Sequence, residues 1–108
     1  MPDINVTITS NADLFRNALP EQIAQALEAI GLTAEAHAKE LCPVDTGRLR
    51  NSISHARDDI SAYIGTNVEY APYVELGTSR QKAQPYLRPA AANHADEYKQ
   101  IVKTALQG

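Results

Sequence analysis

Apolar side chains occupy every second position at the start of the chain. Over residues 4–9 they alternate with asparagine and threonine, and a period of two is typical of a strand with one buried face. We therefore expect a first strand over about residues 3–9. The Ser-Asn pair at 10–11 then offers a cap for a short helical turn that ends near Pro20.

A long helix is predicted next. From Pro20 to about Leu41 apolar residues recur at steps of three and four, which indicates one helix with a proline in its first turn. Gly31 lowers helix stability by about 1 kcal/mol relative to alanine, so the pattern is compatible with a kink or a break there. Pro43 ends the helix because the residue before a proline is pushed out of helical geometry.

The middle of the chain returns to a period of two. Leu49, Asn51, Ile53 and His55 fall on one side of an extended segment, and alternation resumes over residues 60–65 after an Asp-Asp pair. This pattern predicts a hairpin of two antiparallel strands with its turn near the aspartates at positions 58 and 59.

The last third of the chain combines a segment rich in Tyr and Pro with one rich in Ala. Residues 70–76 fit either a short helix or a bent strand closed by Gly77, and residues 78–89 have the composition of an irregular loop. From Pro89 to Leu106 the apolar residues form one stripe, which predicts a C-terminal helix that packs against the sheet.

Together these elements predict an α+β fold. A small antiparallel sheet, made of the N-terminal strand and the hairpin, packs against the long N-terminal helix and the C-terminal helix. A length of 108 residues with 44% hydrophobic composition suits a single domain over residues 1–108. The open strand edges and the long helix face are surfaces through which such a domain can form oligomers.

Composition and charge exclude several classes of function. No apolar run reaches the roughly 20 residues of a membrane span, and the start of the chain lacks a secretory pattern, so we expect cytoplasmic synthesis and no membrane contact. The net charge is −3, whereas residues 76–95 hold three cations and no acidic residue. These cations are Arg80, Lys82 and Arg88. They are too few for sequence-specific DNA binding.

Candidate catalytic and metal-ligating residues are few. His37 precedes the single cysteine, Cys42, by five residues, which is about 140° around the predicted helix and a poor angle for a nucleophile and its base. None of the three histidines shows a metal-ligand spacing. We therefore expect no enzyme, cofactor, metal or small-molecule substrate. A small hydrolase that uses Asp45, Cys42 or a histidine is the enzymatic alternative.

The segment after the long helix has two interpretations. As a plain turn, Pro43 sets the exit from the helix, Asp45 or Thr46 hydrogen-bonds the backbone, and Gly47 adopts a positive φ. As a contact site, it directs Arg48 and Arg50 toward the carboxylates of a partner.

Three of the five tyrosines lie in or beside the later loops, at Tyr70, Tyr73 and Tyr86. Tyrosine and arginine are enriched in the cores of protein interfaces, which favours a subunit contact over a small-molecule pocket. The alternative is that these tyrosines cap the open end of the sheet.

Three motifs together resemble one protein family. They are Pro-Val-Asp-Thr-Gly-Arg-Leu-Arg-Asn-Ser-Ile at 43–53, Tyr-Ala-Pro-Tyr-Val-Glu-Leu-Gly-Thr at 70–78 and Ala-Gln-Pro-Tyr-Leu-Arg-Pro-Ala at 83–90. In this order and spacing they resemble the gene-product-ten-like family of lambdoid siphophages, the neck and tail-completion proteins of tailed double-stranded DNA phages and prophages. The resemblance extends over nearly the whole chain.

The resemblance implies a structural virion protein, made in the host cytoplasm, that acts at the head–tail junction as a ring of copies around the DNA channel. Its partners would be further copies of itself, other neck and tail proteins, and DNA that passes without sequence recognition. An acidic chain would let DNA slide. The basic stretch at 76–95 would touch either phosphates or, as we favour, the acidic half of a neighbouring subunit.

These expectations assign roles to two sets of residues. The expected subunit-interface residues are Asp45, Arg48, Arg50, Tyr70, Tyr73, Glu75, Tyr86, Leu87 and Arg88. The expected turn-forming residues are Pro43, Gly47, Gly77 and Pro85. The sequence suits a neck protein, a tail terminator or a minor tail component equally. The alternative function is that of a nonviral protein-binding module or regulator that acts as a dimer.

Overall fold

A computed structural model gives the structure of residues 4–8, 18–43, 47–58 and 61–107. The elements follow one another as β1 (Ile4–Ile8), α1 (Pro20–Leu41), α2 (Arg48–Ser52), β2 (Ser54–Arg57), β3 (Ala62–Thr66), α3 (Ala71–Leu76), α4 (Leu87–Ala92) and α5 (Ala95–Gln107). The predicted α+β architecture is confirmed.

Helix α1 begins and ends where the sequence predicts. Pro20 occupies the first helical position, where a missing N–H costs nothing, and the Leu19 N–H donates to the Gln22 side chain at 3.0 Å. Cys42 is already extended, with φ −71° and ψ 132°, because a proline follows it. The helical turn predicted between the cap at 10–11 and Pro20 lies outside the described residues up to position 17, and the described residues 18 and 19 are not helical.

Gly31 does not interrupt α1 but lets strand β2 approach it. A Cβ atom at Gly31 would lie 2.8 Å from Cδ2 of His55, which is too close for two carbon atoms, so glycine leaves room for the ring. His55 Nδ1 lies 2.9 Å from Glu35 Oε1, and His55 Nε2 lies 2.6 Å from Glu28 Oε1. The imidazole therefore joins β2 to two carboxylates of α1.

Among the described residues, three strands form an antiparallel sheet in the order β1-β3-β2. Ala62 of the central strand lies opposite both Ile8 and Arg57. The hairpin closes at Asp58, whose N–H donates to the Ser61 carbonyl at 3.0 Å and whose carboxylate accepts the Ser61 N–H at 2.7 Å. The predicted hairpin is thus confirmed, with β1 and β2 as the two edges.

The strand predicted to begin at Leu49 is wrong over its first half, because residues 48–52 form the helical turn α2. Leu49 and Ile53 are both buried, and a spacing of four places two residues on one side of a strand or of a helix alike. The Ser52 hydroxyl donates to the Leu49 carbonyl at 2.6 Å and stabilises the helical form. Strand β2 begins only at Ser54.

The single C-terminal helix predicted from Pro89 to Leu106 is also wrong, because the segment is divided. Helix α4 begins earlier, at Leu87, and a turn at Asn93 and His94 separates it from α5. Helix α4 packs on the sheet and on α1, whereas α5 packs mainly along α1. The apolar stripe continues across the turn, so the spacing alone does not reveal the change of partner.

The core lies between α1, the sheet and α4, and α5 extends it along α1. Its largest fully buried side chains are Tyr86, Leu27, Ile30, Ile64, Leu87 and Val102. Tyr98 joins α5 to α4, because its hydroxyl donates to the Ala90 carbonyl oxygen. Burial raises the pKa of Tyr98 to about 12. None of the described helices is long and apolar enough to cross a membrane.

Candidate subunit-contact surface

The three sequence motifs meet where the chain leaves α1. Tyr86 of the third motif is buried, and its hydroxyl donates to the Ala71 carbonyl of the second motif at 3.4 Å. Burial raises the pKa of Tyr86, and nearby Cys42, Glu75 and Tyr70 raise it further. Tyr86 thus lies close to groups from the end of α1 and from α3.

Cys42, which directly precedes the first motif, is a structural residue. Its side chain is buried, and its Sγ donates to the Pro43 carbonyl at 3.4 Å. Burial raises the pKa of the thiol, and the positive charge of Arg50 opposes this effect without reversing it. A catalytic cysteine needs the opposite shift, toward the thiolate.

The second motif forms a helix, α3, and then turns sharply. Gly77 has φ 78°, in the left-handed region that favours glycine. A Cβ atom at this position would lie 2.7 Å from the backbone nitrogen of Ala83. The Gln84 N–H also donates to the Val74 carbonyl at 2.8 Å. The chain after α3 therefore folds back against the helix.

Glu75 holds the second and third motifs together. Its side chain is 2% exposed. One carboxylate oxygen accepts the N–H groups of Tyr86 at 3.0 Å and Leu87 at 2.8 Å, and the other accepts that of Arg88 at 3.2 Å. These donors lie at the start of α4, where N–H groups lack partners within the helix. The buried charge is thus stabilised by three backbone donors.

The loop between Gly77 and α4 has a defined backbone. Thr78 Oγ1 accepts the N–H groups of Arg80 at 3.2 Å and Gln81 at 3.1 Å, and the Thr78 N–H donates to the Gln81 carbonyl at 2.9 Å. Arg80 and Lys82 are exposed on this loop. The positions of both cations therefore depend on a turn that the hydrogen bonds between Thr78 and Gln81 hold in one conformation.

Helix α3 presents two large apolar side chains to solvent. Tyr73 is 59% exposed and Leu76 is 57% exposed, and their spacing of three places them on one helix face. Leu76 and Arg88 line a cleft of about 510 Å³ between α3, the loop and α4. We use the name α3 surface for the two exposed apolar residues of α3 together with the exposed cations of the loop and of α4, namely Tyr73, Leu76, Arg80, Lys82 and Arg88.

Arg48 of the first motif has partners within its own chain. Its guanidinium donates to both carboxylate oxygens of Glu69, at 3.2 and 2.9 Å, and its Cζ lies 5.4 Å from the centre of the Tyr70 ring. The backbone N–H of Glu69 donates a hydrogen bond to the Glu69 carboxylate and lowers its pKa, and the hydrogen bond from Arg48 lowers this pKa further. These contacts stabilise the geometry of the arginine before any partner binds.

The structure divides the expected interface residues into three groups. Arg48, Arg50, Tyr73 and Arg88 are exposed, and Tyr70 is half-buried. Glu75, Tyr86 and Leu87 lie in the protomer's own interior. Asp45 lies outside the described residues.

The turn-forming set can be located in the same way. Gly47 has φ 80° and directly precedes α2. Pro43 follows the last turn of α1, and Pro85 lines the cleft beside Leu76.

Comparison with known protein families identifies the chain. Residues 6–77, about two thirds of the chain, match the family described as "Bacteriophage HK97-gp10, putative tail-component". The chain belongs to this family. It is therefore a structural component of a phage tail. Comparisons with curated proteins and with solved structures gave no match.

The family match ends at Gly77. It includes the first motif and nearly all of the second, but neither the third motif nor helices α4 and α5. The resemblance over nearly the whole chain is thus supported only for its first two thirds. Glu75 links the two parts physically, because it lies inside the matched stretch and its hydrogen-bond donors lie beyond it.

Sequence reasoning missed two features of this surface. Glu75 was expected at an interface but lies inside the protomer, and Leu76 was not expected at one but is exposed. A helical reading of residues 71–76 would have placed Ala71 and Glu75, four apart, on the inner face and Tyr73 and Leu76 on the outer one. The open choice between helix and bent strand concealed this division.

Proposed function

We propose that this phage tail component assembles as a ring of identical copies around the DNA channel at the head–tail junction, where it completes the neck or tail. In this proposal the 108 residues act as one domain. The observation that carries the proposal is the α3 surface, where two exposed apolar side chains lie beside three cations on a chain of net charge −3.

The composition of the α3 surface fits contact with another copy of this chain. An exposed tyrosine and leucine provide apolar area for the centre of a contact, and arginines suit its border. Exposed carboxylates are available at Glu21 and Glu40 on α1 and at Asp96 on α5. An attraction between the basic loop of one copy and these acids of the next would orient the two copies head to tail.

A head-to-tail contact generates a ring when the rotation between neighbours closes. The excess of acidic residues would then face passing DNA without binding it, which suits a channel that recognises no sequence. Arg48, which Glu69 and Tyr70 already hold in place, would add a second contact beside the ring interface. The family match favours this role over that of a nonviral dimeric module.

The test is genetic complementation in the phage or prophage that encodes the chain. Leu76→Asp places a charge in the α3 surface. We expect it to weaken the contact between copies by at least about tenfold in Kd, which corresponds to about 1.4 kcal/mol, and to lower the yield of infectious particles clearly. Leu32→Asp is the matched control, because Leu32 on α1 is also 57% exposed. We expect that variant to complement normally.

Both variants should unfold at the same denaturant concentration as the wild type, since neither side chain belongs to the core. Native mass spectrometry from micromolar to millimolar concentration should show a species larger than a dimer for the wild type and Leu32→Asp, but not for Leu76→Asp. Equal complementation by the two aspartate variants would contradict the proposal. A stable dimer as the largest species would favour the dimeric alternative.

A further inference from the structure

Two histidines and a glutamate from three segments of the chain meet beside the C-terminal half of α1. His37 lies on α1, His94 in the turn between α4 and α5, and Glu97 in the first turn of α5. His37 Nε2 lies 2.6 Å from Glu97 Oε1. The two imidazole rings are stacked, with centroids 3.6 Å apart and planes 4° from parallel. One possible ligand atom from each residue lies within 4.8 Å of the other two.

This set of donor atoms suits a transition-metal ion. Imidazole nitrogen and carboxylate oxygen are common zinc ligands, and three protein ligands with an open fourth position are a frequent arrangement. With metal–ligand bonds of about 2.0–2.1 Å, tetrahedral ligand atoms lie about 3.4 Å apart. The groups must therefore approach by at most about 1.4 Å, a distance that rotation of partly exposed side chains can cover. Glu97, whose side chain is 47% exposed, has room to move.

The start of α5 sets the positions of two of the three groups. The His94 carbonyl accepts the Tyr98 N–H at 3.1 Å, which fixes the start of α5. The side chains of His94 and Glu97, three residues apart at this helix start, therefore face His37 together.

We propose that His37, His94 and Glu97 form a binding site for a divalent transition-metal ion such as zinc, which joins α1 to the start of α5. In binding, the metal replaces the hydrogen bond between His37 and Glu97 and separates the stacked rings. The spacing of the histidines conceals the site, because His94 lies 57 positions after His37 in the chain. All three ligands come from one chain, so the site does not require the proposed ring to form.

The test is calorimetric titration of zinc chloride into the full chain after removal of bound metals, at pH 7.5 in a buffer that does not coordinate zinc. We expect one zinc ion per chain, with a dissociation constant on the order of micromolar, and a higher melting temperature with zinc. His94→Asn and Glu97→Gln should each weaken binding by at least about tenfold, because even outer-sphere partners of a metal contribute about 10–100-fold.

Glu97→Gln keeps the size of an exposed side chain, so its folding should be unchanged without zinc. His55→Asn and Cys42→Ser are the controls, since they remove the other strongly hydrogen-bonded histidine and the thiol without touching the site. Both should bind zinc like the wild type. The proposal is overturned if the wild type binds no zinc, or if His94→Asn and Glu97→Gln bind it unchanged.

Discussion

At the scale of single residues, Glu75 links α3 to the start of α4. A carboxylate that is 2% exposed would be costly in the interior if it lacked partners. Its two oxygens accept three backbone N–H groups at the start of α4, so it satisfies donors that the helix itself cannot. Glu75 therefore determines how α4 and the basic loop sit against α3.

Replacement of Glu75 should destabilise the protein in proportion to the acceptors that are lost. Glu75→Ala leaves three N–H groups without a partner, and we expect the free energy of unfolding to fall by about 2–4 kcal/mol. Glu75→Gln keeps one acceptor oxygen and should cost about half as much. Denaturant unfolding followed by circular dichroism measures both.

Glu40→Ala, at an exposed position on α1, is the control for Glu75 and should change stability by less than about 0.5 kcal/mol. If Glu75→Ala were as stable as this control, the carboxylate would not organise α4.

At the scale of elements, His55 joins strand β2 to helix α1. Hydrogen bonds to Glu28 and then to Glu35 raise its pKa, and partial burial opposes the rise. Glu35 shows the complementary effect: burial raises its pKa, but hydrogen bonds from His55 and Lys39 outweigh this and lower it. The charged pair is therefore more favourable in the folded chain than in the unfolded one.

The contribution of His55 should depend on pH. Because its pKa is higher in the folded state, its stabilisation is complete below the ordinary histidine pKa of about 6.5 and is lost as the pH rises through the folded pKa. The difference in unfolding free energy between wild type and His55→Gln should therefore fall by roughly 1 kcal/mol from pH 6 toward alkaline pH. Taking this difference cancels the titration of the other histidines. A difference that stays constant or grows with pH would contradict the account.

The elements that sequence predicts correctly are those with one consistent period. Strand β1 and helix α1 have such a period and appear at the predicted places. Leu49 and Ile53, four apart, fit both periods, so the sequence pattern predicts a strand where α2 forms. The C-terminal segment is divided into two helices at Asn93 and His94 because α4 and α5 pack against different elements. The apolar stripe alone does not indicate this difference.

The candidate site was less predictable than the fold. The motifs indicate that residues 43–53, 70–78 and 83–90 matter, but not which side chains point outward. Tyr86 and Leu87 are buried because they pack beneath α3. The sequence motif alone does not predict this tertiary contact. Exposure of Leu76 follows from the helical form of α3, which the sequence left undecided.

At the scale of the whole molecule, a sheet and helix α1 support one ordered end that carries the α3 surface. The motifs that resemble the phage family form this end largely through contacts with one another, at Glu75, Gly77 and Tyr86. The family match establishes a phage tail component. The proposed ring adds that the exposed part of this end binds the next copy.

The most direct test of that claim is cryo-electron microscopy of purified particles from the phage or prophage that encodes the chain, with the head–tail junction reconstructed. We predict a closed ring of this chain around the DNA, in which Tyr73 and Leu76 of each copy pack against the next copy. A junction without this chain, or a ring in which Tyr73 and Leu76 face solvent, would contradict the account.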